Sequence, residues 1–424
     1  MTEPLLGWGI IGPGSIADRF AAALPQSRTG RLVAVASRDP GRPGLAERFP
    51  GVPILAGYET MLADPRVEAI YIATPHPMHA EWAIRAAEAG KHVLCEKPLA
   101  VSAAAAEAMI AAARRSGTFL GEAFMYRLHP MTAKLIELVR TQAVGELRMI
   151  RDSIGFTMAY DPASQLFAND AAGGAILDVG CYPMSMARLI AGAAAGRPFV
   201  DPLAVSGVAA FRDTGADDWG AATMAFPGGV IGTATISLGV AQENVLRIYG
   251  TEGWIEVASY WFGSGREGGT GKIVIHRTDR GPETVAVREP GWLYAFEIDA
   301  AGEAIRAGKQ QFDPPGMTWA DTLGNMGALD AWRQSVGLVY DFEQPHPSRI
   351  KVDGRPLEAP SRPMTRRRLA ALDRDASVLA LGGANLETHT QAAILCDAFY
   401  EAGGNVLDSA WIYGQGTCDR LLGE

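Results

Sequence analysis

The first third of the chain alternates short apolar runs with longer stretches in which apolar residues recur at helical spacing. The short runs predict β-strands at Gly7–Ile11, Leu32–Ala36, Ala69–Ala73, His92–Cys95 and Phe119–Leu120. The longer stretches predict helices at Ser15–Leu24, His79–Ala89 and Ala103–Ser116. Strands that alternate with helices at this spacing predict an α/β domain with a doubly wound parallel sheet.

Beyond Met131 the pattern changes to strands separated by glycine-rich turns. After a helix at Met131–Arg140, we expect strands at Ala221–Phe226, Val230–Ser237, Val245–Ile248 and Ile273–Arg277. Two late helices are expected at Phe296–Ala307 and Thr318–Val336. This pattern predicts a second, α+β domain with a large, mostly antiparallel sheet.

Composition narrows the class of protein. The 424 residues are 48% hydrophobic and 20% charged, which is typical of a globular protein with more than one domain. The formal net charge of −9 argues against nucleic-acid binding. No apolar run is long enough to cross a membrane, and even the alanine-rich stretch Ala103–Ala113 contains Glu107.

The cysteines and the N-terminal residues bear on the cellular location of the protein. Four cysteines lie far apart in the sequence, without the spacing of a metal site, which suggests a reducing environment. His76 and His79 are three residues apart with no third ligand in view, so we expect no metal site. Residues 1–14 lack the basic segment of an export signal, and we expect a cytoplasmic protein.

A glycine-rich turn follows the first predicted strand. Gly12, Gly14 and Ala17 form a G-x-G-x-x-A pattern, and the predicted helix begins at Ser15 and Ile16. Glycines allow a tight turn and let a pyrophosphate approach the N–H groups at the start of a helix. We therefore expect Gly12, Gly14, Ser15 and Ile16 to bind a dinucleotide.

The end of the second strand bears on which dinucleotide is bound. An NAD site usually has an acid there, whereas this chain has Ser37 and Arg38. A hydroxyl and a guanidinium suit a 2′-phosphate, so we expect NADP. NAD stays possible, because Asp39 takes the place of the acid if the strand ends later.

Three residues have the chemistry for proton transfer. Lys97 follows the fourth strand, at the edge where such sheets bind ligands; the alternative is an exposed lysine paired with Glu96. Asp178 and Tyr182 are four residues apart after Gly173-Gly174, so on one helix they would share a face; the alternative is a buried structural face. A tyrosine needs a nearby cation to act as a base near neutrality, and Lys97 can supply it or carry the proton itself.

Four motifs occur in order along the chain, at residues 9–17, 73–79, 96–98 and 173–182. Together they resemble those of the Gfo/Idh/MocA family of NAD(P)-dependent oxidoreductases, over residues 5–343. The resemblance is greatest to the subgroup of dihydrodiol dehydrogenases and glucose–fructose oxidoreductases. The resemblance implies that Lys97, Asp178 and Tyr182 are catalytic. It also implies a homodimer or larger homo-oligomer, and cofactor contacts from Thr74, Pro75, His79, Glu96 and Lys97.

Arg127 and His129 lie where the first predicted domain meets the second. We expect them to contact substrate, with helix capping or a surface position as the alternative. The predicted domains are 1–122 for the nucleotide and 123–343 for substrate binding and oligomerisation, followed by a linker at 344–368.

Residues 369–424 resemble the beginning of an aldo-keto reductase. The pattern D-x-A-x-x-Y-G places Asp408 and Tyr413 at two positions of that family's catalytic tetrad. A (β/α)₈ barrel takes about 250 residues, so this segment is expected to be an incomplete barrel and is assigned no second activity. We expect one of two arrangements. Either the chain is part of a longer fusion of two enzymes, or this segment is a remnant that packs on the first enzyme or on a partner chain.

Together these features predict an oxidoreductase that transfers a hydride between NADP and a hydroxyl or carbonyl group of a sugar, cyclitol or diol. One alternative is redox-neutral chemistry, such as sugar transhydrogenation, with a tightly held cofactor. Another is a non-catalytic NAD(P) sensor or scaffold.

Overall fold

The computed structural model describes residues 4–343, 360, 364–369, 374–383, 386, 389–410 and 417–423. The chain divides into two units, Met1–Asp341 and Phe342–Glu424. Each unit is described separately below.

The first unit begins with a six-stranded parallel sheet in the order β3-β2-β1-β4-β5-β6. Its strands are β1 (Leu6–Ile11), β2 (Gly30–Ser37), β3 (Ile54–Ala56), β4 (Ala69–Ile72), β5 (His92–Glu96) and β6 (Leu120–Ala123). The associated helices are α1 (Ser15–Ala23), α2 (Leu45–Arg48), α3 (Glu59–Ala63), α4 (His79–Glu88) and α5 (Ala103–Ser116). This strand order is that of the doubly wound dinucleotide-binding fold, as predicted.

The centre of this sheet is buried on both faces because helices cover each side. Every residue of β1 and of β4 is buried. Trp8 packs edge-on against Phe20 of α1, and Phe20 stacks on Tyr71 with ring centroids 3.8 Å apart. The strand order reverses between β1 and β4, and ligands of such sheets bind at the carboxyl ends of the strands at that point.

The rest of the first unit contains an eight-stranded sheet in the order β14-β13-β12-β11-β7-β10-β9-β8. Its strands are β7 (Leu147–Gly155), β8 (Ala204–Phe211), β9 (Asp217–Ala225), β10 (Ile231–Ser237), β11 (Val245–Gly250), β12 (Gly253–Ala258), β13 (Gly269–Arg277) and β14 (Arg280–Glu289). Its helices are α6 (Pro130–Arg140), α7 (Ala175–Asp178), α8 (Cys181–Ala194), α9 (Leu293–Arg306) and α10 (Trp319–Val336). Only the β7–β10 pair within this sheet is parallel, which confirms the mostly antiparallel sheet.

Helices α7, α8 and α10 pack on one face of the large sheet. The cross-strand pairs place Val208, Trp219, Ile231 and Met149 together on the opposite face. These four side chains are exposed, and Val208 is 72% exposed. The outer face of the sheet is therefore partly apolar and uncovered within the first unit.

The prediction of one helix carrying both Asp178 and Tyr182 is wrong. Helix α7 ends at Asp178, and α8 begins at Cys181. Pro183 has no N–H to donate to the carbonyl of Val179, so a continuous helix would lose a hydrogen bond there. The backbone turns instead, and the N–H of Tyr182 donates to the carbonyl of Val179 at 3.2 Å.

The second unit opens with an antiparallel hairpin of β15 (Arg366–Leu369) and β16 (Arg374–Ser377). The strands β17 (Leu381–Gly382) and β18 (Leu407–Asp408) then pair in parallel, and the helices are α11 (His389–Glu401) and α12 (Thr417–Gly423). Most of the predicted linker, and Tyr413, lie outside the described residues.

Candidate active site

The glycine turn joins β1 to α1 at the carboxyl edge of the parallel sheet. Gly12 has a φ of +85°, and a Cβ at this position would lie 2.7 Å from the carbonyl oxygen of Ala73. Only glycine allows this backbone conformation beside the end of β4 without strain. The two loops at the point of reversal therefore touch through their backbones.

The start of α1 is open to a ligand. Gly14 is the N-cap in extended conformation, and among the described residues no side chain caps the helix. Gly14 and Ser15 are exposed, and no atom lies within 4 Å of a Cβ built on Gly14. The unpaired N–H groups of the first turn and the empty space beside them suit a pyrophosphate.

The turn after β2 holds the residues expected to select the dinucleotide. The Ser37 hydroxyl donates to the carbonyl of Asp39 at 2.9 Å and accepts from its N–H at 3.2 Å. Arg38 is exposed. Sequence reasoning missed Arg42, whose guanidinium donates to the carbonyl of Pro13 at 2.9 Å and so lies beside the glycine turn. Its signal in the sequence is a second arginine four residues after Arg38.

A cavity of about 300 Å³ opens between the two sheets of the first unit. It brings together seven of the expected residues, namely Ile16, Thr74, His79, Glu96, Lys97, Asp178 and Tyr182. The other lining residues are Ala73, His76, Met125, Ile154, Phe156, Val179, Trp261, Phe262, Arg266 and Tyr294. Gly12, Gly14, Ser15, Ser37, Arg38 and Pro75 do not line this cavity.

Lys97 reaches across the cavity wall to Asp178. Its ammonium donates to the backbone carbonyl of Asp178 at 2.7 Å and to Oδ1 at 3.2 Å. The side chains are 14% and 23% exposed, so the alternative of an exposed lysine paired with Glu96 is wrong. The Glu96 carboxyl accepts instead from the backbone N–H of Lys97 at 3.2 Å and from the hydroxyl of Tyr71.

The protonation of this pair follows from its contacts. Burial lowers the pKa of Lys97, but the Asp178 carboxylate, together with Cys181 and Glu96, more than offsets this, and the net pKa lies above its ordinary value. Burial raises the pKa of Asp178, but Lys97 and His76 more than offset this and the net pKa lies below its ordinary value. The resting site therefore contains an ammonium and a carboxylate.

Tyr182 lies next to Lys97 but is not held as a phenolate. The Lys97 Nζ is 5.1 Å from the centroid of the Tyr182 ring, and the hydroxyl lies 3.9 Å from the Met125 sulfur. Burial raises the pKa of Tyr182 well above its ordinary value. A neutral phenol donates a proton, so the site at rest holds two proton donors, the phenol and the ammonium.

His79 ties two loops together below the cavity. One ring nitrogen lies 3.0 Å from the carbonyl of Pro98, and the other lies 2.9 Å from the carbonyl of Thr74. Burial, with a smaller effect of His76, lowers the pKa of His79 to about 4. The neutral ring donates to one of these carbonyls, and its packing fixes the turn that carries Thr74.

Neither Arg127 nor His129 lines the cavity, which corrects the expectation that they contact substrate. Arg127 is buried, pairs with Asp321 and donates to Ser185 Oγ at 2.8 Å and the Pro315 carbonyl at 2.7 Å. The Nδ1 of His129 accepts from the N–H of Met131 at 3.0 Å and caps α6. The helix-capping alternative thus describes His129, because the domain junction is buried rather than open.

The comparisons with known proteins agree with this geometry. Residues 6–124 match the Gfo/Idh/MocA oxidoreductase family with an NAD-binding Rossmann fold, and residues 132–256 match the Gfo/Idh/MocA C-terminal domain. A trans-1,2-dihydrobenzene-1,2-diol dehydrogenase of Mus musculus is 36% identical over 342 residues, which cover 79% of this chain and 98% of that protein.

The chain belongs to the Gfo/Idh/MocA family.

Two solved structures of similar proteins support the same assignment. A 3-ketoreductase from Actinomadura kijaniata, in complex with TDP-benzene and NADP, is 29% identical with a TM-score of 0.68, over 78% of this chain and 98% of its own. An aldose–aldose oxidoreductase from Caulobacter crescentus is 27% identical with a TM-score of 0.68, over 79% and 98%. This Gfo/Idh/MocA chain is therefore an NAD(P)-dependent oxidoreductase, as predicted.

The cavity also has lining residues that sequence reasoning missed. Ile154 of β7, Phe156 directly after it, and Trp261, Phe262 and Arg266 of the loop before β13 line the same cavity as Lys97. Tyr294 of α9 joins them. The aromatic run at 260–262, just before a glycine-rich loop, was the available signal.

Two further observations concern the described residues alone. In that part of the chain, no helix is long and apolar enough to cross a membrane. No cluster of three or more His, Cys, Asp or Glu side chains with the arrangement of a metal site was found there.

Proposed function

We propose that this chain transfers a hydride between NADP and a hydroxyl or carbonyl group of a sugar, cyclitol or diol within the cavity around Lys97. The observation that carries the proposal is the Lys97–Asp178 ion pair beside Tyr182, at the ligand-binding edge of a dinucleotide-binding sheet. Three similar proteins support this substrate class: the mouse protein is named as a diol dehydrogenase, the Actinomadura protein as a 3-ketoreductase and the Caulobacter protein as an aldose–aldose oxidoreductase.

The residues at the glycine turn fit the cofactor. Gly12, Gly14, Ser15 and Ile16 would hold its pyrophosphate, since the start of α1 offers unpaired N–H groups and open space. The residues that would line it further along are Thr74, Pro75, His79, Glu96 and Lys97. When bound, the cofactor supplies the carbon atom that gives or accepts the hydride.

The phosphate on the ribose would be held by the turn after β2. Arg42 places one guanidinium group beside the glycine turn, and the exposed Arg38 follows Ser37 at the end of β2. The Ser37 hydroxyl is hydrogen-bonded to the backbone of Asp39 in the same turn. Guanidinium groups bind phosphates with two parallel hydrogen bonds, which favours NADP over NAD.

The protonation of the site suits reduction of a carbonyl. Lys97 places a positive charge where the substrate oxygen becomes negative, and Asp178 holds that ammonium in position. Tyr182, as a neutral phenol, supplies the proton to the oxygen, with Lys97 as the second donor. In the reverse direction, one of these groups first loses its own proton to solvent and then takes the proton of the hydroxyl.

Redox-neutral transhydrogenation is a second candidate. The similarity to the Caulobacter aldose–aldose oxidoreductase favours it, because the same groups serve oxidation of one sugar and reduction of another. Protein purified with bound nucleotide that interconverts two sugars without net absorbance change at 340 nm would select this candidate. A sensor or scaffold would bind the cofactor and transfer no hydride.

We also propose that a second copy of the chain covers the outer face of the large sheet. The exposed Val208, Trp219, Ile231 and Met149 lie on that face, and a shallow cavity of about 440 Å³ runs beside Val208 and Trp219. Apolar patches of this kind commonly mark protein interfaces. Sedimentation of the wild type and of Val208→Asp tests this, with a monomeric variant as the expected result.

For the second unit we propose the opening of an aldo-keto reductase barrel. A hairpin followed by strand, helix and parallel strand supports this resemblance, and Asp408 ends β18. No second activity is proposed for it. We also propose domain boundaries after residues 122, 343 and 368. A cytoplasmic location is proposed as well, and the four free cysteines support it.

The direct test is an assay of purified protein with NADP⁺ or NADPH and a panel of aldoses, ketoses and diols. We expect substrate-dependent change at 340 nm with NADP(H) at lower concentrations than with NAD(H). Cofactor binding without hydride transfer to any compound would favour the sensor.

A further inference from the structure

His76 lines the cavity, and the proposed reaction assigns no role to it. It begins a short 3₁₀ turn, His76–Met78, after the three residues that follow β4. Its Nδ1 lies 3.2 Å from the carbonyl oxygen of Ala172, in the loop before α7. The ring also packs edge-on against His79, with centroids 5.7 Å apart. One contact with the loop before α7 and one with the start of α4 thus fix the orientation of the ring.

These contacts determine which ring nitrogen carries the proton. A carbonyl oxygen only accepts hydrogen bonds, so Nδ1 of His76 must be the donor to Ala172. Burial lowers the pKa of His76; the nearby Asp178 acts in the opposite direction and Lys97 in the same one, and the net shift is downward. The ring is therefore neutral near pH 7, and its Nε2 has a free lone pair and no N–H.

Among the described residues, the only hydrogen bond of the His76 ring is the one to Ala172, so Nε2 has no donor. The lining of the cavity is partly apolar, with Ile154, Phe156, Trp261 and Phe262, and also includes the guanidinium of Arg266. Lys97 already donates to Asp178 at 2.7 and 3.2 Å. A bound molecule with a hydroxyl group on the His76 side would therefore supply the missing donor.

Building on the proposed function, we propose that Nε2 of His76 accepts a hydrogen bond from the substrate hydroxyl adjacent to the reacting carbon. His76 lines the same cavity as Lys97 and Asp178, beside which the reacting oxygen would be bound. His76 thereby selects vicinal diols and 2-hydroxy sugars over compounds that lack this hydroxyl.

Two substitutions separate the two ring nitrogens. His76→Asn retains an amide N–H close to the position of Nδ1, so it keeps the hydrogen bond to Ala172 and removes the acceptor at Nε2. His76→Gln extends an amide oxygen towards the position of Nε2 and restores an acceptor. The pair therefore distinguishes recognition of the hydroxyl from a general loss of packing.

The experiment compares matched substrates in the wild type and both variants. The pairs are D-glucose with 2-deoxy-D-glucose and trans-cyclohexane-1,2-diol with cyclohexanol. We expect the ratio of kcat/KM for the hydroxylated to the deoxygenated compound to fall about 10-fold in His76→Asn, the effect of one lost hydrogen bond. His76→Gln is expected to regain most of the ratio, and NADPH affinity by fluorescence titration is expected to persist in both.

Several results would overturn the proposal. An unchanged ratio in His76→Asn, or equal losses for both members of a pair, would mean that His76 does not bind this hydroxyl. A loss of NADPH affinity as large as the loss of activity would assign Nε2 to the cofactor. If the wild type transfers hydride to no compound, the proposed function itself is wrong, whereas activity with an unchanged ratio refutes only the role of His76.

Discussion

The ammonium of Lys97 lies 2.7 Å from the backbone carbonyl oxygen of Asp178 and 3.2 Å from its carboxylate. Lys97 follows a strand of the parallel sheet, whereas Asp178 ends a short helix that packs on the antiparallel sheet. The candidate site therefore forms only when these two parts of the first unit are packed together. This arrangement explains why neither residue is exposed like an ordinary surface charge.

Lys97→Ala is expected to lower kcat about 10²- to 10⁴-fold, because the variant loses the charge that stabilises the substrate oxygen. NADPH affinity is expected to change much less, since the glycine turn is untouched. Steady-state kinetics and fluorescence titration measure the two effects. The matched control is Lys134→Ala, which removes a lysine from an exposed pair with Glu137 on α6. Equal turnover in the wild type and Lys97→Ala would contradict the assignment.

Asp178→Asn is expected to shift the pH dependence of carbonyl reduction. The Asp178 carboxylate raises the pKa of Lys97, so its removal lowers that pKa. Lys97 is needed as the ammonium, and activity should therefore begin to fall at a lower pH than in the wild type. The measurement is kcat against pH on the alkaline side. Asp170→Asn, an exposed charge in the preceding turn, is the control and should keep the wild-type profile.

Arg38→Ala is expected to raise the KM for NADP about 10- to 100-fold, the usual effect of losing a charged hydrogen bond to phosphate. The KM for NAD should stay nearly the same, because NAD has no 2′-phosphate. The exposed Arg19 of α1 offers a control for the loss of one positive charge. A parallel rise for both cofactors would place Arg38 elsewhere than at the 2′-phosphate.

Asp321 is expected to matter for stability rather than for substrate binding. It accepts from both Arg127 and Arg188, and all three side chains are buried. Asp321→Ala leaves two buried guanidinium groups without this partner and should cost about 3–5 kcal/mol of unfolding free energy. Arg127→Met leaves Asp321 paired with Arg188 and should cost less. Urea unfolding measures both, and the reverse order would contradict this account of the network.

Local patterns in the sequence predicted the parallel sheet and much of the site. The turn at Gly12 and Gly14 can be recognised locally, because its backbone conformation requires glycine. Lys97 can also be placed locally, because it directly follows a predicted strand. The break between α7 and α8 was missed, although Pro183 indicated it. Its cause is a single missing N–H, which periodicity alone does not register.

The parts that the sequence did not predict depend on contacts between distant segments. Trp261 and Phe262 line the same cavity as Lys97 only because the fold brings the loop before β13 to the end of β5. Likewise, Arg127 is buried because Asp321, 194 residues away, accepts its hydrogen bond. The sequence indicated only that His76 is a poor candidate for a metal ligand. Its orientation could not be predicted, because the carbonyl of Ala172 that it contacts lies far away in the sequence.

The most direct measurement of the central claim follows a deuterium atom from the carbinol carbon of a diol or aldose. The wild-type protein, incubated with the labelled substrate and NADP⁺, is analysed by mass spectrometry of cofactor and products. Direct hydride transfer predicts that the deuterium is found in NADPH, or in a second sugar if the reaction is redox-neutral. Deuterium that stays in the substrate or is lost to water, for every diol and aldose tried, would contradict the proposed function.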